Sequence, residues 1–133
     1  RMTMLTRSLL RCVGATALIA LTAGCVQQGL TDVMQRPAER ALLNGLRAYD
    51  DGQYADAERE LNKALDTGLV SAKDRATANK HLAFVYCTSQ REKACEDAFR
   101  AARAADIGFA LSRAEAGHPL WGPVYKSVAA AAP

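Results

Sequence analysis

Cysteine is the residue type with the most evident chemistry in this chain of 133 residues. Two of its four cysteines, Cys87 and Cys95, lie in one stretch of helical character. A disulfide between them would close a loop of about nine residues and stabilise the fold by on the order of 2.5 kcal/mol. The alternative is that both residues are small buried thiols. Cys95 also fits the helix crossing opposite Ala83, which lies one turn before Cys87, and in that register the two sulfur atoms would not meet. We predict the disulfide.

The other side chains indicate neither metal nor catalytic chemistry. His81 and His118 are the two histidines, and His81 with two cysteines provides neither four ligands nor a familiar zinc spacing. We find no nucleophile elbow, no distinctive pair of carboxylates and no glycine-rich phosphate loop. We therefore expect a protein without enzyme activity, metal, cofactor or small-molecule substrate.

A third cysteine, Cys25, follows a segment with the features of a secretion signal. Basic residues at Arg1, Arg7 and Arg11 precede or flank a short apolar run at residues 12–21. This run is too short to remain as a membrane-spanning anchor, but it fits the core of a signal peptide.

The sequence LTAGC at residues 21–25 resembles the lipobox of bacterial lipoproteins. Small residues there let the signal peptidase reach the backbone, and the Cys25 thiol accepts a diacylglycerol. The resemblance implies a signal peptide at residues 1–24, a covalent lipid on Cys25 and a tether at residues 25–36. Val26, in place of aspartate, implies the outer membrane. An ordinary signal peptide that happens to end before a cysteine is the alternative.

The charge pattern argues against nucleic acid as a partner. The chain has 17 basic and 14 acidic residues, and the three basic residues before residue 25 account for the whole excess of +3. The remaining chain is balanced, and no basic run is visible in it. A nucleic-acid-binding protein would need a basic patch that survives removal of the signal peptide.

The stretch at residues 79–107 has the pattern of a hairpin of two helices, broken by polar residues 88–90. Its spacing resembles the tetratricopeptide pattern W-x2-L-G-x2-Y…A-x3-F…P. Two helices cross closely only where small residues face each other, and Ala83 and Cys95 take those positions here. The matching residues are Asn79, Leu82, Ala83, Tyr86, Cys95, Phe99 and Ile107.

The preceding stretch gives a first repeat by the same count. Pro37 suits the first turn of a helix, so we predict helices at Pro37–Asp50 and residues 54–65. Gly68 can end the second helix and Ser71 can cap the next. The matching residues are Ala41, Gly45, Ala48, Ala57, Leu61, Ala64 and Leu69, with Asn44 where leucine is expected. Gly45 and Ala57 are the small pair at the crossing of this hairpin.

These patterns predict an all-α fold with two tetratricopeptide-like repeats, at residues 37–69 and 76–107, within a domain at residues 37–111. A generic four-helix bundle gives no reason for small residues at both crossings, and a coiled coil needs sustained heptads.

The C-terminal tail at residues 112–133 must supply the third layer that two repeats lack. Ser112 and Glu115 form a capping-box pattern, glycine and proline then break the chain twice, and residues 124–132 can form a last helix. Trp121 and Tyr125 are expected either to cap the second hairpin or to anchor a partner.

In tetratricopeptide domains, the first helices of successive repeats line a concave groove. Here two sets of side chains would form this groove. The alternative is that the tether or the C-terminal tail covers the same face in place of a partner. Spacing places the first set on one helix face. The residues are Leu42, Leu46 and Tyr49 from the first repeat, and Lys80, Phe84 and Cys87 from the second.

The lipobox, the segment HLAFVYCTSQREKACEDAFRAA at residues 81–102 and the segment AEAGHPLWGPVY at residues 114–125 carry a further resemblance. Together they are similar to the small lipoproteins associated with type VI secretion, the TssQ family. The resemblance covers most of residues 38–125. It implies an accessory outer-membrane lipoprotein that is encoded with a secretion machine and has no catalytic residue.

We therefore expect a lipid-anchored scaffold or assembly adaptor on the periplasmic face of the outer membrane, with proteins of a type VI secretion envelope complex as partners. The alternative is a pilotin or assembly factor of a secretin, pilus or β-barrel assembly complex. An enzyme would need a deep polar pocket, which two hairpins can hardly form.

Overall fold

A computed structural model of the chain describes residues 32 and 35–131. The signal peptide, Cys25 and most of the tether predicted above lie outside these residues. Within them the fold is all-helical, without a strand. The helices are α1 (Pro37–Asp50), α2 (Tyr54–Thr67), α3 (Ala72–Thr88), α4 (Glu92–Ala105), α5 (Arg113–Ala116) and α6 (Gly122–Ala130).

The boundaries of the first three helices follow local signals in the sequence. Helix α1 has the predicted limits, with Pro37 in its first turn. Helix α2 continues two residues beyond the predicted end, to Thr67, and stops at Gly68, whose φ is +104°. The predicted cap on α3 is confirmed, because the Ser71 hydroxyl accepts a hydrogen bond of 3.2 Å from the backbone N–H of Asp74.

Helices α1 and α2 form a hairpin that depends on the absence of a side chain at Gly45. A Cβ atom at this position would lie 2.7 Å from Leu61 Cγ and 3.1 Å from the Leu61 backbone nitrogen. The predicted crossing of Gly45 is therefore closest to Leu61, rather than to Ala57 one turn earlier. Leu61 is fully buried there, so the glycine lets the two helix backbones approach and enclose it.

Helices α3 and α4 form the second hairpin, which packs on the first through contact of α3 with α2 and with α1. Ala83 and Cys95, the predicted small pair, are both fully buried. Phe99 and Leu82 complete the apolar layer around them. The two hairpins therefore share a single core, in which α3 lies between the first hairpin and α4.

The tail folds back onto the second hairpin. The predicted capping box of α5 is confirmed, since the Ser112 hydroxyl accepts from Glu115 N–H and Glu115 Oε2 accepts from Ser112 N–H. Helix α6 packs on α4 and α5, and its Val128 is buried.

The irregular segment predicted at residues 117–123 is two residues shorter in the structure, because Gly122 and Pro123 form the first turn of α6. Proline is tolerated in a first turn, where its missing N–H is not needed. Gly122 is required for a different reason. A Cβ atom there would lie 2.5 Å from the Ala116 carbonyl oxygen, so only glycine allows α6 to begin this close to α5.

Candidate protein-binding surface

The predicted groove residues lie on the inner face of the two hairpins, and most of them are already packed. Leu42 and Phe84 belong to the core, with 5% and 3% of their surface exposed. Leu46 and Tyr49 are partly buried against that core. The structure brings Tyr49 of α1 and Phe84 of α3 together, with ring centroids 6.2 Å apart. The inner face is therefore an aromatic cluster rather than an open channel.

The C-terminal tail covers the α3 side of this face. The Trp121 indole stacks on Phe84 with centroids 4.2 Å apart, and His118 stacks on Trp121 with centroids 3.4 Å apart and planes inclined by 2°. The Trp121 ring nitrogen donates a hydrogen bond of 2.9 Å to the carbonyl oxygen of Glu115. The Phe84 ring is therefore already covered by Trp121 of the same chain.

Glu115 fixes the tail to the second hairpin. Its Oε1 accepts a hydrogen bond of 2.8 Å from Lys80 Nζ, and its Oε2 accepts one of 2.9 Å from Ser112 N–H. Partial burial alone would raise the pKa of Glu115, but these hydrogen bonds outweigh it and lower the pKa below its usual value. Lys80, a predicted groove residue, is thus paired within the domain.

Tyr125, the second predicted tail anchor, is half-buried against the end of α4. Its ring lies 5.3 Å from that of Phe99 and 6.3 Å from that of Phe109. Its hydroxyl accepts a hydrogen bond of 3.3 Å from Leu111 N–H. Trp121 and Tyr125 therefore both contact the second hairpin, at its inner face and at its end.

His81 is partly buried between aromatic rings. Its ring lies 5.1 Å from that of Tyr49 and 5.7 Å from that of Phe84. Its Nδ1 donates a hydrogen bond of 2.8 Å to the Thr77 carbonyl. Burial lowers the pKa of His81, although this hydrogen bond opposes the shift. His81 therefore remains neutral at neutral pH.

The predicted disulfide is present between the end of α3 and the first turn of α4. The sulfur atoms of Cys87 and Cys95 are 2.05 Å apart, and the Cα atoms 5.2 Å. The turn it encloses also contacts the first hairpin. Arg91 donates two hydrogen bonds, of 2.9 and 2.7 Å, to the carboxylate of Glu58 on α2, and its guanidinium lies 4.6 Å from the ring centroid of Tyr86. These contacts hold the turn against α2.

An apolar groove of about 630 Å³ lies between the end of α4 and α6. Ile107 on its edge is fully exposed, and Phe109 adds further apolar surface. Arg103 closes one side by donating a hydrogen bond of 2.7 Å to the Val128 carbonyl. An exposed apolar groove of this kind is a candidate surface for contact with another protein.

Sequence reasoning missed this groove. The repeat pattern assigned Ile107 to the closing position of the second repeat, where a packed residue is expected. The signal available was the apolar residues of segment 107–111, which follow the last core position of α4. The groove itself depends on where α6 packs, and no local sequence pattern predicted that position.

Comparison of the chain with known protein families, with curated proteins and with solved structures finds no match. Over residues 32 and 35–131, no group of three or more His, Cys, Asp and Glu side chains is placed to hold a metal ion. In the same described residues, no helix has both the length and the apolar composition needed to cross a membrane.

Proposed function

We propose that this protein is a non-catalytic adaptor, anchored to the periplasmic face of the outer membrane by a lipid on Cys25. Its folded domain consists of two tetratricopeptide-like repeats that are closed by the C-terminal tail. The all-helical hairpins, the close approach at Gly45 and the buried pair Ala83 and Cys95 support the repeat assignment.

The disulfide supports a periplasmic location. Disulfides persist in oxidising compartments and are rare where cellular reductants keep thiols free. The bond between Cys87 and Cys95 fits the compartment that the signal peptide and the lipobox imply. The outer-membrane assignment depends on Val26 and on the resemblance to lipoproteins.

The exposed groove beside Ile107 is the observation that carries the adaptor proposal. The inner face of the hairpins is largely occupied by Trp121 and its neighbours, so this face has little room for a peptide. The groove beside Ile107 and Phe109 is open and apolar. A helix or loop of a partner protein with an apolar anchor would fit such a surface.

We infer that the partner belongs to the envelope-spanning complex of a type VI secretion system. The segments around Cys87–Cys95 and around Trp121 support this assignment by resemblance. The tail segment also has a structural role, since its Trp121 and Gly122 set the position of α6.

Site-specific photo-crosslinking in the protein's own cells tests the adaptor proposal. A photoreactive amino acid would replace Ile107 in the groove or, as a matched control, Leu120, an exposed apolar residue outside it. We expect crosslinks from position 107 to type VI secretion envelope proteins, and none to these proteins from position 120. Crosslinks to secretin, pilus or β-barrel assembly proteins would support a pilotin or assembly factor instead. If no protein is crosslinked specifically from position 107, the groove is refuted as a binding surface.

Cell fractionation tests the anchor separately. The Cys25→Ala variant should move from the membrane fraction to the soluble fraction, because it lacks the thiol that accepts the lipid. Persistence of this variant in the membrane fraction would refute the lipid anchor without bearing on the groove.

A further inference from the structure

The outward face of helix α1 carries two arginines on either side of a leucine. Arg40, Leu43 and Arg47 are all exposed, and Leu43 has 44% of its surface accessible. Residues three, four and seven positions apart lie on one side of a helix. The Cα atoms of the two arginines are about 10 Å apart along the helix axis. Together these three residues form a short basic stripe with an apolar centre, called here the α1 stripe.

The two arginines differ from half of the basic residues on the other long helices, which pair with carboxylates. Arg59 on α2 pairs with Asp56, and on α4 Lys93 pairs with Asp97 and Arg100 with Glu96. Arg40 and Arg47 have no carboxylate partner among the residues that the structure describes. Asp50 and Asp51, both exposed at the end of α1 and three and four residues after Arg47, limit the stripe at that end. The positive charge of the α1 stripe is therefore available to an external anion.

The α1 stripe also lies at an edge of the helix array. In residues 35–131, α1 packs against α2 and α3 and against no other helix. Its residues toward those helices, Ala41, Leu42 and Gly45, are buried, and the α1 stripe faces the opposite side.

We propose that the α1 stripe docks on the surface of an anionic phospholipid leaflet. This inference rests on the proposed lipid anchor at Cys25. Eleven residues separate Cys25 from Pro37, and a chain of that length extends at most about 40 Å. The lipid therefore keeps α1 close to the leaflet, where arginines bind lipid phosphates and their aliphatic parts lie beside Leu43 at the interface.

Charge and position together favour a lipid surface over an acidic protein. Each basic residue near an anionic leaflet multiplies the membrane-binding constant about fivefold, so two arginines multiply it about 25-fold. A contribution of this size gives weak binding to anionic vesicles by itself, and it is enough to orient a protein that a lipid already anchors. The groove beside Ile107 lies between α4 and α6, neither of which contacts α1, so it then remains free for a partner protein.

Thiol labelling of the reconstituted full chain tests this orientation. Single cysteines would be introduced by Leu43→Cys on α1 or, as a control, by Ala101→Cys on the exposed face of α4. The lipidated proteins would be reconstituted into phosphatidylcholine vesicles with or without about one third phosphatidylglycerol. Labelling with a membrane-impermeant maleimide then reports exposure, and the chain without an added cysteine gives the background.

We expect Leu43→Cys to react at least about fivefold more slowly in the anionic vesicles, because the leaflet covers it. About 0.5 M salt should remove the difference, since it limits charge interactions to about 4 Å. The charge reversals Arg40→Glu and Arg47→Glu together should also remove it. Lys63→Glu with Lys126→Glu, the same change of charge on α2 and α6, should not.

Three results would overturn the proposal. The first is an equal rate for Leu43→Cys in both kinds of vesicle. The second is a slowing that Ala101→Cys shares or that the Lys63 and Lys126 reversals also abolish. The third is that the Arg40 and Arg47 variant loses a co-purifying acidic protein while its labelling rate is unchanged. That result would assign the α1 stripe to binding of the acidic protein.

Flotation separates failure of this inference from failure of the lipid anchor. Wild type that does not float with phosphatidylcholine vesicles lacks the proposed anchor. In that case, flotation with anionic vesicles that depends on Arg40 and Arg47 would still support docking of the α1 stripe. Flotation with neither kind of vesicle would overturn both.

Discussion

The indole ring of Trp121 stacks on the phenyl ring of Phe84, with their centroids 4.2 Å apart and their planes inclined by 25°. Phe84 belongs to the second hairpin and Trp121 to the tail, so the contact joins the two. His118 covers the other side of the indole. The tail is thus an integral layer of the domain, and it occupies a face on which a peptide could otherwise bind.

Replacement of Trp121 should destabilise the whole domain. We expect Trp121→Ala to lower the free energy of unfolding by about 3 kcal/mol, because it removes a large ring between two others. Trp121→Phe keeps a ring but loses the hydrogen bond to the Glu115 carbonyl, and should cost about 1 kcal/mol. Urea denaturation measures both values. Equal losses for the two variants would show that stacking contributes little.

A side chain at Gly45 should separate α1 from α2. Gly45→Ala places a methyl group 2.7 Å from Leu61 Cγ, so we expect a loss of about 1–3 kcal/mol from overpacking. Gly108→Ala is the matched control, because its Cβ would meet Asp106 Oδ1 at an ordinary distance of 3.7 Å. Thermal unfolding of the two variants distinguishes them. A Gly45→Ala protein as stable as Gly108→Ala would contradict the close crossing.

Loss of the disulfide should weaken the fold moderately. Replacing both Cys87 and Cys95 with alanine should lower the free energy of unfolding by about 2.5 kcal/mol, chiefly because the unfolded chain gains freedom. Denaturation with and without a reducing agent gives the control, since the reductant should destabilise only the wild type. Two free thiols in protein taken from the periplasm would contradict the bond.

The stability of the domain should fall as the pH drops below the ordinary pKa of histidine. Burial lowers the pKa of His81 in the folded state from its usual 6.5, so the unfolded chain binds a proton first. Stability from neutral His81 is present above about pH 6.5 and is lost as the pH falls toward the lowered folded pKa. His81→Gln should show a shallower fall between about pH 7 and 5, measured by urea denaturation. An unchanged slope would contradict burial of a neutral imidazole.

The turn between α3 and α4 should tolerate a more flexible residue. Gln90 has φ of +63°, a conformation that side chains with a Cβ disfavour. We expect Gln90→Gly to raise the free energy of unfolding by up to about 1 kcal/mol. Gln53→Gly, at an ordinary φ of −88°, should give no gain. Equal effects at the two positions would indicate that Gln90 carries no backbone strain.

Local features of the sequence predicted much of the fold. Pro37 predicts the start of α1, and Ser112 with Glu115 predicts the start of α5, because each signal depends on neighbouring residues only. The pairing of Cys87 with Cys95 followed from two helices joined by a short turn. These predictions are confirmed.

Features that depend on distant contacts were not predictable in the same way. Pro123 looked like a helix breaker, but its place in a first turn depends on how Gly122 meets Ala116. The exposure of Ile107 depends on where α6 packs. The balanced charge of the sequence did not indicate the α1 stripe, because only the folded surface shows which arginines have carboxylate partners.

The most direct test of the adaptor account is quantitative co-purification of the tagged, lipidated protein from its own cells after crosslinking. Ile107→Glu should reduce recovery of type VI secretion envelope proteins at least about tenfold, as expected for a charge in an apolar contact. Leu120→Glu adds the same charge outside the groove and should leave recovery unchanged. Equal recovery with wild type and Ile107→Glu, or no enrichment of these proteins with the wild type, would contradict the account.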